Sequence, residues 1–258
     1  MVNKQSSTTS HARPPAAALF DMDGVLVNSN PFHVEKWIQF LKKRKVIFDL
    51  ADVPNQILGK HNDDAFRWYF GPSLTREEMR ELGAELESEF RETFRPHAKP
   101  LPGLRSLLRE LRRADIPLAV VSSAIRANVE FIVDVLKLRP CFRCRVSGED
   151  VLAPKPDPEI YLKAAKELAV DPTQCVAFED SWVGIEAVKK AGMTCVAIAS
   201  TFPAGELRLK SRADLVVSGF GELSLGTLRG LFSDARSQTG GRAGKSGIRT
   251  RPAPGKRD

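Results

Sequence analysis

The sequence has few of the features that mark secreted or membrane proteins. Four cysteines among 258 residues are too few for a disulfide framework. Cys175 and Cys195 lie in apolar runs, and the CxxC of Cys141 and Cys144 has no second pair of metal ligands nearby. No run approaches the roughly 20 apolar residues that a membrane helix needs. We therefore expect a cytoplasmic protein with structural thiols and no membrane partner.

Acidic residues are scarce at both ends of the chain. Residues 1–16 carry a net charge of +2, residues 235–258 carry +6, and residues 17–234 carry −1. Residues 1–16 have no apolar signal-peptide core, which predicts a disordered start, with an organellar targeting segment as the alternative. Residues 235–258 lack aromatic residues, which predicts a disordered basic tail. We expect no specific nucleic-acid partner for that tail, only weak electrostatic attraction.

Short strand-like runs alternate with helical segments over most of the chain. Several runs are almost wholly apolar, as expected of parallel strands covered on both faces, and the segments between them have helical periodicity. The alternation predicts an α/β fold, a Rossmann-like doubly wound parallel sheet, over residues 17–31 and 97–234. The predicted strands are residues 16–20, 117–122, 143–147, 174–179, 194–199 and 213–218.

Residues 32–96 contain no strand-like run. Their pattern is helical throughout, and they follow directly on the first strand. Ligands of open α/β sheets bind at the carboxyl ends of strands, so an insertion at this point would cover such a site. The sequence therefore predicts that residues 32–96 form an inserted α-helical cap.

Two aspartates, Asp21 and Asp23, follow the first predicted strand in the stretch DMDG. Two like charges there require a cationic partner, because burial and repulsion both oppose their ionisation. Other polar residues also follow strands and are expected to converge with them, since parallel strands end at the same edge of a sheet. These residues are Ser122, Ser123, Lys155, Glu179 and Asp180. Carboxylates, a lysine and hydroxyls suit Mg²⁺ and a phosphate better than a transition metal.

These residue types can supply the nucleophile, the acid and base, and the positive charge that phosphoryl transfer needs. Asp21 can attack phosphorus and form an aspartyl-phosphate, while Asp23 acts as general acid and then as general base. Lys155 and the metal spread the charge of the transferring group. Gly24 permits a tight turn beside the phosphate, and the two serines with nearby backbone N–H groups hold its oxygens.

In order and spacing these motifs resemble those of haloacid dehalogenase-like hydrolases, in the helical-cap branch near β-phosphoglucomutase and its phosphatase relatives. The resemblance covers residues 17–225. It implies that Asp21 is the nucleophile, that Asp23 is the acid and base, and that Lys155 stabilises nucleophile and phosphate. It also implies a Mg²⁺ site formed by Asp21, the backbone carbonyl of Asp23, Glu179 and Asp180.

The cap is where the sequence departs from that branch. His33 matches a histidine that lies near the active site there, and a helix-surface histidine is the alternative. At the positions where the mutase binds a second phosphate, this chain has Leu58 and Asn62, and Lys60 and His61 are close to them in the sequence. We expect these three polar residues to bind substrate, and we expect hydrolysis in preference to isomerisation.

The sequence thus predicts a monomeric, Mg²⁺-dependent phosphatase that acts on a small phosphorylated metabolite such as a sugar phosphate. One alternative is a phosphotransferase like β-phosphoglucomutase. A less favoured alternative is a non-catalytic binding module that works through the basic tail.

Overall fold

The computed structural model describes residues 13–239, with side chains as far as residue 232. The predicted disordered start and basic tail fall almost wholly outside these residues. The last helix continues to Thr239, beyond the predicted beginning of the tail at residue 235. It does so because no glycine or proline interrupts residues 231–239.

A six-stranded sheet lies at the centre of the fold, and every neighbouring pair of strands is parallel. The strands are β1 (Ala17–Phe20), β2 (Leu118–Val121), β3 (Cys144–Val146), β4 (Cys175–Glu179), β5 (Thr194–Ile198) and β6 (Leu215–Val217). Their order is β3-β2-β1-β4-β5-β6, so the winding reverses between β1 and β4. The predicted doubly wound α/β fold is confirmed, and the reversal marks where such sheets bind ligands.

Ten α-helices accompany the sheet within residues 13–239. They are α1 (Asn30–Lys43), α2 (Val53–Ile57), α3 (Asn62–Phe70), α4 (Arg76–Phe94), α5 (Leu104–Arg113), α6 (Arg126–Val135), α7 (Glu159–Leu168), α8 (Trp182–Lys190), α9 (Ala204–Lys210) and α10 (Leu225–Thr239). Helices α5, α6 and α10 pack on one face of the sheet, and α7, α8 and α9 pack on the other.

The two faces of the sheet alternate residue by residue along β1. Phe20 belongs to the apolar cluster under α5 and α6, and its ring stacks on that of Phe178 at a centroid distance of 4.5 Å. Leu19 and Ala177 belong to the cluster under α7 and α8. A strand with apolar side chains on both faces must be buried, which explains the unbroken apolar run in the sequence.

Helices α1 to α4 follow β1 and have an apolar cluster of their own. Trp37 and Phe66 lie in that cluster, at a ring distance of 5.0 Å. Helix α4 begins with a capping box between Thr75 and Glu78. Near its end, Phe90 joins the cluster of the sheet. The insertion therefore has its own core yet is anchored to the sheet by α4, while its predicted boundaries at residues 32 and 96 stay a prediction.

Two features of the composition can be followed into the fold. All four cysteines lie within the described residues and are free, and Cys175 and Cys195 are buried. None of the helices in residues 13–239 combines the length and the apolar character that crossing a bilayer requires.

Replacement of Leu111 by alanine tests the packing of α5 on the sheet. Leu111 is fully buried, and we expect Leu111→Ala to lower the free energy of unfolding by about 2–5 kcal/mol, because it leaves a cavity. Urea denaturation followed by circular dichroism measures the change. Leu209, on α9, is 87% exposed, so Leu209→Ala is the matched control with an expected change within about 0.5 kcal/mol. Equal effects of the two variants would contradict this packing.

Candidate active site

Most of the polar residues at the strand ends line one cavity of about 130 Å³ at the reversal between β1 and β4. Asp21 directly follows β1, and its backbone N–H donates to the carbonyl of Phe178 on β4. The predicted residues that line the cavity are Asp21, Asp23, His33, Lys60, His61, Asn62, Ser122, Ser123, Lys155 and Asp180. Glu179 and Gly24 do not line the cavity, but each contacts a residue that does. Glu179 bonds to Lys155, and Gly24 lies beside Asp180. Side chains far apart in the sequence thus converge as the parallel sheet requires.

Lys155 is the cation beside the nucleophile candidate. Its Nζ lies 2.7 Å from Asp21 Oδ1 and 2.6 Å from Glu179 Oε1, and all three groups are buried. Burial opposes the charge of Lys155, but the two carboxylates outweigh it and raise the pKa of the lysine. The ammonium group therefore stays charged and ties β1 to β4 at the switch point.

One lysine does not neutralise all the negative charge around it. Burial, reinforced by the nearby charges of Glu179 and Asp180, raises the pKa of Asp21 well above its usual value despite Lys155. Burial, followed by the charge of Glu179, raises the pKa of Asp180 to about 8. Shifts of this kind indicate a cluster of carboxylates that a further cation would stabilise.

Glu179 is held by donors on both of its oxygens. Oε1 accepts hydrogen bonds from Lys155 and from the Tyr161 hydroxyl, each at 2.6 Å. Oε2 accepts from the backbone N–H groups of Asp180 and Ser181 and from the Ser181 hydroxyl. Helix α8 leaves room for this carboxylate at Gly184, where a Cβ would lie 2.0 Å from Glu179. Glu179, itself fixed in this way, therefore holds Lys155 in place through Oε1.

Asp23 has a different environment from Asp21. Its Oδ1 accepts a hydrogen bond from the Ser29 hydroxyl and lies 3.3 Å from His33 Nε2. Burial tends to raise the pKa of Asp23, but His33, Ser29 and the charge of Lys155 together lower it. Burial tends to lower the pKa of His33, and the bond and charge of Asp23 raise it. The imidazole stacks on Phe90 at 3.8 Å and lines the cavity, with 18% of the side chain exposed.

Asp180 is fixed by two side chains that the sequence analysis did not identify. Asn30 donates to Asp180 Oδ2 over 3.0 Å and to Thr201 over 2.7 Å, and the Thr201 hydroxyl also donates to Asp180. Gly24, with a φ of +80°, leaves the space that this carboxylate occupies. A Cβ at Gly24 would lie 1.8 Å from Asp180 Oδ2, so the glycine of the DMDG stretch is required by contact as well as by backbone conformation.

The cluster of buried carboxylates fits a divalent cation. Asp21, Glu179 and Asp180 each offer an oxygen, and these three atoms lie within 4.8 Å of one another. The donors are all oxygens, which favours Mg²⁺ over zinc or copper. The raised pKa of Asp21 and of Asp180 points to the same need for positive charge. The residues present therefore suit the predicted metal.

Ser122 lies at the end of β2, just before α6. It is buried, and its Oγ accepts a hydrogen bond of 3.1 Å from the backbone N–H of Ala124. Ser122 and Ser123 both face the cavity, together with the backbone that leads into α6. Hydroxyls at the start of a helix suit phosphate oxygens, which is the role predicted for these serines from the sequence.

The cap residues enter the cavity from the start of α3. His61 Nε2 is buried and, within the described part of the chain, has no hydrogen-bond partner. The Asn62 amide donates to Glu87 on α4, and Glu87 also accepts from Asn128 on α6. Lys60 completes this side of the cavity. Asn62 is thus committed to Glu87, whereas Lys60 and His61 can still bond to a ligand.

Seven polar residues that orient the groups of this site were absent from the prediction. They are Ser29, Asn30, Glu87, Asn128, Tyr161, Ser181 and Thr201. Thr201 follows β5, and the strand-end argument would have found it had it been extended to the fifth strand. Glu87 carried a weaker signal, an acid three residues before Phe90 on a helical face that is otherwise apolar. Tyr161 gave none, because it matches the apolar periodicity of α7.

The chain matches the profile of the family described as haloacid dehalogenase-like hydrolase over residues 18–198. It is 32% identical to validoxylamine A 7'-phosphate phosphatase from Streptomyces hygroscopicus subsp. limoneus, over 80% of this chain and 94% of that protein. It is 29% identical to β-phosphoglucomutase from Bacillus subtilis, over 81% of this chain and 92% of that protein.

The fold is similar to that of a crystal structure of β-phosphoglucomutase from Clostridium difficile. The TM-score is 0.76 at 22% identity, with 86% of this chain and 99% of that chain covered. Since so low an identity speaks for the fold alone, the family assignment depends on the profile and the sequence relatives. The chain belongs to the haloacid dehalogenase-like hydrolase family. The predicted class of enzyme, a phosphatase of that family acting on phosphorylated compounds, is confirmed.

Replacement of Gly24 by alanine tests the carboxylate cluster. The new Cβ would collide with Asp180, so we expect Gly24→Ala to weaken Mg²⁺ binding at least tenfold in isothermal titration calorimetry, roughly the effect of disturbing a group that orients a metal ligand. Gly205→Ala is the matched control, because a Cβ there meets no atom within 4 Å. Unchanged Mg²⁺ affinity in Gly24→Ala would argue against a metal site beside Asp180.

Proposed function

We propose that this protein is a Mg²⁺-dependent phosphatase that hydrolyses a small phosphomonoester through an aspartyl-phosphate on Asp21. The observation that carries the proposal is the pairing of Asp21 with buried Lys155, next to Asp23 and its partner His33. Two neighbouring carboxylates with different partners can take different roles, one as nucleophile and the other as proton carrier.

Asp21, Glu179 and Asp180, with the backbone carbonyl of Asp23, would hold the Mg²⁺. When bound, the ion supplies positive charge to the oxygens of the transferring phosphoryl group. It would also offset the burial that raises the pKa of Asp21, so that the nucleophile is ionised.

The first step transfers the phosphoryl group to Asp21. An oxygen of Asp21 attacks phosphorus, the bond from phosphorus to the ester oxygen breaks, and Asp23 gives a proton to the departing alcohol. Lys155, 2.7 Å from Asp21 Oδ1, and the Ser122 hydroxyl can stabilise the charge on the phosphoryl oxygens.

The second step hydrolyses the acyl phosphate. Asp23, now a carboxylate, takes a proton from a water molecule whose oxygen attacks phosphorus, and the bond to Asp21 breaks with release of inorganic phosphate. The lowered pKa of Asp23 suits this role of base. For the first step, the negative charge of a bound phosphate would raise that pKa and favour the protonated form.

A phosphorylated metabolite with several hydroxyl groups is the proposed substrate. The Streptomyces relative, by its name, acts on validoxylamine A 7'-phosphate, and a relative from Thermotoga maritima is named a phosphorylated carbohydrates phosphatase. Here Lys60, His61, Asp63 and Glu87 line the cavity beyond the catalytic residues. Such a mixture of donors and acceptors suits the hydroxyls of a sugar. Cytoplasmic location and a monomeric state are part of the same proposal.

Mutase activity is the second candidate, because the Bacillus relative is a β-phosphoglucomutase. A mutase must retain a bisphosphate while it turns in the site. Among the described residues that line the cavity, Lys60 and Lys155 are the only lysines or arginines, and Lys155 is already bound to Asp21. Asp63 and Glu87 add negative charge on the cap side. This balance of charge favours loss of a bisphosphate from the site, and therefore hydrolysis over isomerisation.

Substitution of the two aspartates tests the roles proposed for them, on a panel of phosphomonoesters assayed with and without Mg²⁺. We expect Asp21→Asn to lose at least roughly 10³-fold in turnover, because no nucleophile remains. Asp23→Asn should lose about 10²–10⁴-fold, the usual contribution of a general acid and base.

Asp115→Asn is the matched control for these substitutions. Asp115 is exposed just before β2, at the end of the sheet opposite the cavity, and its positive φ of 55° is one that asparagine tolerates. It should keep full activity. Full activity in Asp21→Asn would remove that residue from the role of nucleophile.

A product assay separates hydrolysis from isomerisation. With β-glucose 1-phosphate and a trace of glucose 1,6-bisphosphate, we expect inorganic phosphate to appear in step with substrate loss, because the cavity has few cations for a second phosphate. Enzymatic measurement of glucose 6-phosphate beside a phosphate assay follows both products. Accumulation of glucose 6-phosphate without release of phosphate would establish the mutase instead.

A further inference from the structure

Tyr161 is a fully buried side chain that contacts both Lys155 and Glu179, and the reaction proposed above does not use it. It lies in the first turn of α7. Its hydroxyl donates to Glu179 Oε1 over 2.6 Å and lies 3.3 Å from Lys155 Nζ. Its ring centroid is 5.0 Å from the same Nζ. A side chain that served only to fill the core would need no hydroxyl at this point.

The surroundings of Lys155 supply one acceptor for each of its three N–H donors. These acceptors are Asp21 Oδ1 at 2.7 Å, Glu179 Oε1 at 2.6 Å and the Tyr161 hydroxyl oxygen at 3.3 Å. Because the Tyr161 hydroxyl gives its own proton to Glu179, its lone pairs are left for Lys155. Of the three acceptors, only Asp21 lines the cavity. Glu179 and Tyr161 therefore hold Nζ from the side that faces away from the cavity.

Tyr161 and Lys155 compete for the same oxygen of Glu179. Both donate to Oε1, at equal distances. A hydrogen bond from the hydroxyl reduces the charge that this oxygen presents to Lys155, since it is shared between two donors. More of the lysine's interaction is then left for Asp21 and for a phosphoryl group on it. Without the hydroxyl, Lys155 would pair more closely with Glu179 and less with Asp21.

We propose that Tyr161 is a positioning residue that, through Glu179, holds the Lys155 ammonium group toward Asp21 during phosphoryl transfer. This inference rests on the proposed function, in which Lys155 stabilises the transferring group. Tyr161 itself does not line the cavity, and its one contact with a proposed metal ligand is the bond to Glu179 Oε1, the oxygen it shares with Lys155. Its contribution is to the transition state and not to the affinity for substrate.

The test compares Tyr161→Phe with Tyr69→Phe, the same substitution at the only other tyrosine of the chain. The Tyr69 hydroxyl, on α3, is buried and finds no hydrogen-bond partner within the described residues, and it does not line the cavity. Tyr161→Phe should lower kcat about tenfold or more, the effect of removing a hydrogen bond to a charged group, while KM changes less than about twofold. Tyr69→Phe should leave both values unchanged.

A second measurement needs no change at Tyr161. In the Tyr69→Phe enzyme, tyrosine labelled with ¹³C at Cζ gives a single NMR signal, that of Tyr161. Beryllium fluoride, added with MgCl₂, mimics a phosphoryl group on a carboxylate, so once bound to Asp21 it should attract Lys155. We expect the Tyr161 signal to shift as the ¹⁹F signal of the bound fluoride appears.

The outcomes distinguish this inference from the proposed function. A native kcat in Tyr161→Phe, or a raised KM together with a lowered melting temperature, would leave Tyr161 a purely structural residue. A ¹³C signal that stays in place while the bound ¹⁹F signal appears would also overturn the assignment. Absence of both phosphatase activity and bound fluoride in the unaltered enzyme would instead reject the proposed function, and the role of Tyr161 with it.

Discussion

The ion pairs of one buried lysine hold this site together. Lys155 comes from the loop after β3, yet its ammonium group lies between carboxylates that follow β1 and end β4. Those two strands are neighbours in the sheet, so their ends carry like charges side by side. Like charges in a buried place would drive the strand ends apart or take up protons. Lys155 offsets part of this negative charge, and a metal ion beside Asp180 would offset the rest.

The same charge problem explains why so many uncharged donors surround the carboxylates. Glu179 takes hydrogen bonds on both oxygens, Asp180 takes them from Asn30 and Thr201, and Asp23 takes them from Ser29. Each donor holds one carboxylate in one orientation, so a ligand finds the groups already arranged. Preorganisation of this kind is a large part of how enzymes stabilise charge in a transition state. The carboxylates and Lys155 are therefore held by the sheet and its loops, while the helical insertion reaches the cavity through Lys60, His61 and Glu87.

Much of the fold followed from patterns that are local in the sequence. All six strands were predicted within one or two residues, because parallel strands buried on both faces must be apolar almost throughout. The polar side chains at strand ends were predicted to converge for the same topological reason, and all of them except Glu179 line one cavity. The roles of Asp21, Asp23 and Lys155 were argued from the residue types and from the resemblance to a family, and they stay proposals. Helix α9, which is seven residues long with one fully buried leucine, had too little periodicity to be found.

The sequence by itself determined where the strands lie along the chain and which chemical types stand at their ends, since both follow from short-range patterns of polarity. Only the tertiary structure decided which partner each polar group has. It showed that Asn62 bonds to Glu87, that His33 lies against Phe90 beside Asp23, and that Tyr161 shares an oxygen with Lys155. Contacts of this kind join residues on different elements, and they depend on distances of a few ångströms that no periodicity records.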